Sequence, residues 1–441
     1  MSPFQQLQAR VNERSARVAV LGLGYVGLPL LRAFWDGGHP VLGFDIDSEK
    51  IAKLRRGDNY LKHLGDDFVR TMLNDGGDRF QVSSDPQALA DADALILCVP
   101  TPLGEHREPD MSYIERTCQT VASVLRPGHL VSLESTTYPG TTRELMLPIL
   151  EGSGLTCGTD FFLAYSPERE DPGRKDHNTQ SIPKLVGGID PETGQLATEL
   201  YNHAVTEAIQ VESAEIAESA KLLENIYRAV NIALVNEMKV ILEPMGIDVW
   251  KVIAAAATKP FGFQVFWPGP GLGGHCIPID PFYLTWKARE HGYNTRFIEL
   301  AGEINTSMPE YVIRRVQDAL NDEGKAVKGS KILILGLAYK PDVDDVRETP
   351  SAHLIEGLRK LGAQVDYHDP HCPEVPPMRE HPEIVGMKSV PFSQAADSDA
   401  VVIATNHSSI DYQELGRTAR LVIDTRGSML GIVTKNRVVQ A

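Results

Sequence analysis

From residue 17 onward the chain alternates short, uninterrupted apolar runs with stretches of helical periodicity. Arg17-Val18-Ala19-Val20-Leu21, Pro40-Val41-Leu42-Gly43-Phe44, Ala94 to Val99, Leu130 to Thr137 and Phe161 to Tyr165 read as strands. Their lack of alternation predicts parallel strands covered on both faces. Around residue 212 this rhythm stops. Glu212 to about Glu243 reads as one helix, with Ile216, Ala220, Leu223, Tyr227, Val230, Leu234, Met238 and Ile241 at spacings of three and four. Leu222, Ile226, Ala229 and Ala233 widen that stripe, so burial of much of the helix is expected. About 30 residues would span about 45 Å, enough to bridge domains and carry a subunit interface. After the polar stretch 321–330 the first rhythm resumes, with strands at Lys331 to Gly336, Gln364 to Asp369, Ala400 to Ala404 and Arg420 to Asp424. The expected fold is α/β, with two doubly wound parallel-sheet domains joined by the long helix and a helical middle segment. The expected divisions are 1–211, 212–310 and 311–441.

The first strand runs into Gly22-Leu23-Gly24-Tyr25-Val26-Gly27 and then a helical pattern through Trp35; the second strand closes on Asp45. In such a turn Gly22 makes the bend, Gly24 lets a pyrophosphate touch the backbone, and Gly27 lets helix and strand pack closely. The helix start offers unpaired N–H groups to phosphate. Asp45 suits a ribose 2′-hydroxyl and would repel a 2′-phosphate, so NAD is favoured over NADP. Pro100-Thr101-Pro102 ends the next strand, where loops meet a ligand in folds of this kind. The strand at 331–336 opens instead into a loop without the triple glycine, carrying Lys340 and Arg347, both suited to phosphate.

With 441 residues and 42% hydrophobic content, the chain has material for two or three cores. Its net charge of −16 argues against general affinity for nucleic acid or anionic membranes. The five cysteines, Cys98, Cys118, Cys157, Cys276 and Cys372, are scattered without a CxxC pair, so neither a disulfide framework nor a metal site is expected. The N-terminus lacks an apolar signal region and no run reaches the length of a membrane span. The expectation is a cytoplasmic protein.

One stretch carries concentrated chemistry. Trp267 to Tyr283, WPGPGLGGHCIPIDPFY, reads as a tight, proline-stiffened loop that delivers Cys276 with Asp280 four residues later. A thiol so presented suits covalent chemistry on a carbonyl carbon, because a thiolate both attacks and leaves readily; the competing reading is a buried small hydrophobe. Lys221 and Asn225, four apart, share one face of the long helix; the competing reading is a surface lysine paired with Glu218. Glu168, after the strand at 161–165, reads as a general base or a solvated turn.

In order and spacing these motifs resemble the UDP-glucose/GDP-mannose dehydrogenase family: Gly22 to Gly27 with Asp45, Glu134-Ser135-Thr136-Thr137, Ser166-Pro167-Glu168, Lys221 with Asn225, Gly273-Gly274-His275-Cys276 with Asp280, and Lys340 through Arg347. The resemblance implies two Rossmann-like domains, a homodimer, and oxidation of the C6 alcohol of a UDP-sugar to a carboxylate with two NAD+. It implies that Cys276 attacks the C6 aldehyde, that Lys221 and Asn225 surround the C6 oxygen, and that Asp280 keeps the lysine charged or helps activate water. Glu168 would be the base for thioester hydrolysis, with Thr136 holding the water. Gly22, Gly24, Tyr25, Val26, Gly27, Asp45, Thr101, Thr136 and Arg347 would contact NAD. Glu168, Lys221, Asn225, Phe266, Gly273, Lys340 and Arg426 would contact the nucleotide sugar.

Two departures from the UDP-glucose enzymes bear on the substrate. After Ser166-Pro167-Glu168 the chain continues Arg169-Glu170-Asp171 rather than with two apolar residues, leaving a second acidic role open between Glu170 and Asp171. The segment 261–271 is rich in aromatics and prolines. In both respects the sequence is more similar to the UDP-N-acetylhexosamine 6-dehydrogenases, above all those acting on UDP-N-acetylglucosamine, whose acetamido methyl needs an apolar slot. UDP-glucose, UDP-N-acetylmannosamine and UDP-N-acetylgalactosamine are the alternatives. A two-electron β-hydroxyacid dehydrogenase and an idle NAD-binding regulator are more distant ones.

Overall fold

The computed structural model describes residues 1–61, 64–104, 107–169, 181–274, 276–378 and 380–441, with Cys276 described by its backbone alone. The chain forms two compact units, Met1–Glu224 with Phe282–Gly292, and Asn225–Pro281 with Tyr293–Ala441.

The first unit is built on an eight-stranded sheet: β1 (Val18–Leu21), β2 (Val41–Phe44), β3 (Phe80–Ser83), β4 (Ala94–Leu97), β5 (Leu130–Leu133), β6 (Phe162–Tyr165), β7 (Lys184–Gly188) and β8 (Ala208–Val211), in the order β3-β2-β1-β4-β5-β6-β7-β8. β1 pairs in parallel with β2 on one side and β4 on the other, so the order reverses beside β1. Every residue of β1, β2, β4, β5 and β6 is buried. Alternate residues serve opposite faces: Val18 and Val20 join the core with Leu28, Leu31 and Phe34, while Ala19 and Leu21 join that of Leu95, Leu97, Leu133 and Leu163. Each fully buried Val or Leu contributes about 1.5–3 kcal/mol of transfer free energy, which is why an unalternating apolar run signals this strand type. Among the described residues β6–β7 is the only antiparallel neighbour pair of this sheet.

The second unit carries a five-stranded, wholly parallel sheet: β9 (Lys331–Leu335), β10 (Gln364–His368), β11 (Ala400–Ile403), β12 (Leu421–Asp424) and β13 (Arg437–Gln440), in the order β10-β9-β11-β12-β13. It repeats the two-faced arrangement, with Ile332 and Ile334 on one side and Leu333 and Leu335 on the other. The turn after β9 has its own organiser. Asp369, just past β10, accepts from the N–H groups of Leu337 and Ala338 through Oδ2 and from those of His371 and Cys372 through Oδ1. His407 Nε2 lies 3.0 Å from Oδ2, and both side chains are inaccessible to solvent.

Two elements differ from expectation. The long helix runs Ala214–Leu242, close to the expected 212–243, but its predicted stripe faces outward: Ile216, Leu223, Tyr227, Leu234 and Ile241 are exposed, while Leu222, Ile226, Ala229 and Ala233 are buried. Glu218, Lys221, Asn225, Asn236 and Lys239 lie buried among the latter. Apolar periodicity identifies a ridge without saying which ridge is covered, and here hydrogen bonds of Glu218, Asn225, Asn236 and Lys239 hold the polar one inside: Asn236 donates to Asn305 Oδ1 and Lys239 to Gly269 O, both at 3.0 Å. The second difference is the expected loop 267–283, which is helical from its middle onward: Cys276–Glu290 is one helix with Pro281 inside it. Proline is tolerated in a first helical turn, where the missing N–H has no helical partner, so Pro278 permits the start; Pro281, farther in, does lose a helical bond.

Candidate active site

In the first unit the loop after β1 has the form required for close approach of a phosphate. Gly22 has φ +94°, and a Cβ there would overlap the Cys98 carbonyl. A Cβ on Gly27 would overlap the Gly22 carbonyl, whereas one on Gly24 would meet nothing within 4 Å. Gly24 therefore presents open backbone. The helix Gly27–Asp36 starts after Tyr25 and Val26 with no side-chain cap on its first N–H groups, which leaves its start suited to an anion. Asp45 accepts from Leu23 N at 2.9 Å and from Asp47 N at 2.9 Å, with the Lys50 ammonium 3.2 Å away. Oδ2 thus already holds two donors, while Oδ1 is fixed in direction and keeps capacity for a further one. Thr101 is buried in the loop after β4. The Ser135 hydroxyl ties that loop to the one after β5, accepting from Val99 N and donating to Val99 O. The donor set fits a dinucleotide with a free ribose diol. Asp45→Ala should weaken NAD binding by about 10- to 100-fold, the worth of one or two hydrogen bonds to a charged group; titration calorimetry reads this, and unchanged affinity would mean the ribose is held elsewhere.

Behind this crevice lies a charged group that sequence reasoning missed. Lys184, at the head of β7, has its Nζ 2.6 Å from Glu134 Oε2, 3.2 Å from Pro167 O and 3.7 Å from Glu168 Oε2. Glu134 is fully buried, and burial pushes its pKa up to about 7 despite Lys184. Burial also disfavours the Lys184 charge, but Glu134 and Glu168 outweigh it and hold its pKa above the ordinary lysine value. The signal was a lone lysine heading the apolar run Leu185-Val186-Gly187-Gly188, easily taken for a strand-end surface charge. Thr136 is half-buried; its neighbour Thr137 is fully buried, its hydroxyl 2.5 Å from that of Thr141. Glu218 does not form a surface pair with Lys221. It accepts from Gly140 N at 2.6 Å and from the Thr142 N–H and hydroxyl at 2.9 and 2.6 Å, and burial pushes its pKa up to about 7. Lys221 is itself buried, one turn before Asn225 on the same helix.

In the second unit Asn225 Nδ2 donates to Asp280 Oδ2 at 2.6 Å, both buried. Residues 276 and 280 share one face of the Cys276–Glu290 helix, so Asp280 stands one turn from the cysteine backbone at that helix's start. Gly274 N donates to Arg347 O, and a Cβ on Gly273 would overlap Tyr339; the glycines thus lie against the loop after β9, which carries Lys340. The Arg347 guanidinium makes a bidentate pair with Asp345, at 3.0 and 2.6 Å. Arg426 donates to Ala404 O and lies against Gly269, and burial pulls its pKa down to about 10. Phe266 packs edge-on against Tyr227 and onto the cluster of Val249, Trp250 and Ile253, while Phe261, Phe263 and Trp267 are exposed. His275, Glu170 and Asp171 lie outside the described residues.

Known proteins supply the identity of this arrangement. Residues 16–205 match the NAD binding domain of the UDP-glucose/GDP-mannose dehydrogenase family, 215–307 its central domain and 333–430 its UDP binding domain. The chain belongs to that family. It is 36% identical over 426 residues to a UDP-N-acetyl-D-glucosamine 6-dehydrogenase of Pseudomonas aeruginosa, covering 94% of this chain and 97% of the relative. It is also 36% identical over 417 residues to a UDP-N-acetyl-D-mannosamine dehydrogenase of Pyrococcus horikoshii, covering 93% and 95%. A solved structure of UDP-D-ManNAc dehydrogenase from Pyrococcus horikoshii superposes with a TM-score of 0.87 at 33% identity, covering 96% of this chain and 98% of that one. The protein is therefore a UDP-sugar dehydrogenase with NAD as its cofactor. Among the described residues no helix is long and apolar enough to cross a membrane.

Proposed function

We propose that this dehydrogenase oxidises C6 of UDP-N-acetylglucosamine to the carboxylate in two steps, through a covalent bond to Cys276. The observation that carries the reading is the buried Asn225–Asp280 pair, one helical turn from the Cys276 backbone. A helix start also favours negative charge, and hence a thiolate. When bound, NAD would supply the hydride acceptor for each oxidation. Lys221 and the Asn225 amide stabilise the C6 oxygen as charge develops on it, and Asp280 orients that amide. Cys276 sulfur adds to the aldehyde carbon; the resulting thiohemiacetal is oxidised to a thioester. Water, held by Thr136 and deprotonated by Glu168, then attacks the carbonyl carbon, the C–S bond breaks, and the thiolate returns. Lys340 and Arg426 hold the nucleotide sugar with Gly273 and Phe266, and Arg347 serves the NAD pyrophosphate.

The choice of sugar rests on the resemblance to the relatives that act on N-acetylhexosamines and on the aromatic segment 261–267. The relatives named for UDP-N-acetyl-D-mannosamine, at the same identity, make that sugar the second reading. The exposed ridge Ile216, Leu223, Tyr227 and Leu234, with Phe261 and Trp267 also exposed, supports a homodimer, since a monomer rarely leaves so much apolar surface in water. With purified protein, UDP-N-acetylglucosamine should give the highest initial rate among UDP-glucose and the three UDP-N-acetylhexosamines, and two NADH per acid formed. Turnover confined to another sugar would refute the substrate, and one NADH per product would refute the second oxidation.

A further inference from the structure

The buried cluster behind the loop after β5 has no part in the chemistry proposed above, yet it touches that chemistry at one point. Lys184 is 4% exposed and Glu134 is wholly enclosed. Desolvating a carboxylate and an ammonium together costs several kcal/mol per ion, and a hydrophobic pair of the same volume would serve packing as well. A charge kept in such a place therefore calls for a task that packing does not explain. Its surroundings are specific. Lys184 Nζ reaches Glu134 Oε2 and the carbonyl of Pro167, the residue immediately before Glu168, and stands 3.7 Å from the Glu168 carboxylate. Glu168 N in turn donates to Glu134 O at 3.3 Å. The Tyr201 ring lies 5.5 Å from the ammonium, and the Tyr201 hydroxyl donates to Ser132 Oγ at 3.0 Å. Among the described residues Cys98 is a further titratable neighbour, its thiol pKa pushed up by burial.

We propose that Lys184, braced by Glu134, is a positioning residue for thioester hydrolysis: it grips the backbone before Glu168 and aims and charge-balances the Glu168 carboxylate. The inference rests on Glu168 acting as the hydrolytic base. Two carboxylates share one ammonium. Glu134, the more deeply buried, takes up a proton more readily than an exposed glutamate, and the same ammonium stands 3.7 Å from Glu168 Oε2. The step served is attack of water oxygen on the thioester carbonyl, with the water proton passing to Glu168 and the C–S bond breaking. Neither hydride transfer involves Lys184, so its loss slows one half of the reaction only.

Lys184→Met tests this by stopped-flow NADH formation and intact mass spectrometry, beside Glu168→Gln. The expected result for Lys184→Met is native-like circular dichroism, NAD affinity within threefold of wild type, and a rapid burst of two NADH per active site. Steady-state turnover should then be slower by about 100-fold, the scale of a misplaced base, with a mass adduct of the acyl sugar on the protein. Wild-type turnover, or slow turnover without a burst, would overturn the proposal. Should the single variant fail to fold, Lys184→Met with Glu134→Gln removes the pair without leaving a buried charge; the same burst and stall are expected, and wild-type turnover would overturn the proposal equally. If Glu168→Gln shows no stall, the base assignment fails; if it stalls while the Lys184 variants do not, the positioning role fails alone.

Discussion

Cys276→Ala is expected to abolish acid formation, with a loss of at least about 10⁴-fold in steady-state NADH production, because without the sulfur the aldehyde has no covalent route to a second oxidation. NAD binding should stay within threefold, since residue 276 lies in the central-domain match, beyond the residues matching the NAD binding domain. Cys276→Ser is the sharper variant. A hydroxyl forms a hemiacetal and an ester less readily than a thiol forms its analogues, and an ester hydrolyses more slowly, so the Ser variant should accumulate a covalent adduct visible by mass spectrometry. Full activity in either variant would remove the mechanism.

Asp369→Asn should destabilise the second unit by about 3–5 kcal/mol, since two or more buried donors lose their acceptor at about 1–3 kcal/mol each, and lower its calorimetric melting temperature by roughly 10 °C. Five donors converge on this carboxylate: four backbone N–H groups and His407. An amide presents its NH2 to N–H groups whichever way it is flipped. Burial pushes the Asp369 pKa up, but the His407 hydrogen bond and charge and the backbone N–H groups outweigh it and hold it well below the usual carboxylate range. The folded pKa is thus depressed relative to the unfolded chain, so the stabilisation is complete above about pH 4 and fades as pH falls towards the folded value. The gap between wild type and variant should shrink on acidification below about pH 4. An unchanged melting temperature at neutral pH would mean that the turn after β9 is held by other contacts.

Most strands could be read from the chain because burial on both faces demands nearly unbroken apolar runs; β1, β2, β4, β6 and β11 carry no polar side chain, and β5, β9 and β12 one each, Ser132, Lys331 and Asp424. β3, β7, β8 and β13 were missed. β3 and β8 form the two edges of their sheet and mix polar with apolar residues, as does β13 at the edge of the other, while β7 opens with a lysine and closes on two glycines. The glycine fingerprint and Asp45 were legible because a phosphate needs bare backbone, which few other turns require. Lys184 and Glu218 were not. Their roles depend on partners 50 and 76 residues away, and no local pattern encodes such a meeting. The helical start at Cys276 was hidden by the prolines around it, which normally argue for a loop.

The long helix Ala214–Leu242 turns Glu218, Lys221, Asn225, Asn236 and Lys239 inward and leaves Ile216, Leu223 and Leu234 outward. Grease alone would let such a rod settle at several angular settings, since one residue of slippage rotates it by about 100°. Here a wrong setting strands an ammonium and two carboxamides without their acceptors, a penalty that apolar packing cannot offset. The polar teeth therefore act as a key that admits one rotation of the rod. It follows that Asn225, held by Asp280, cannot be exchanged without also loosening the setting of the helix.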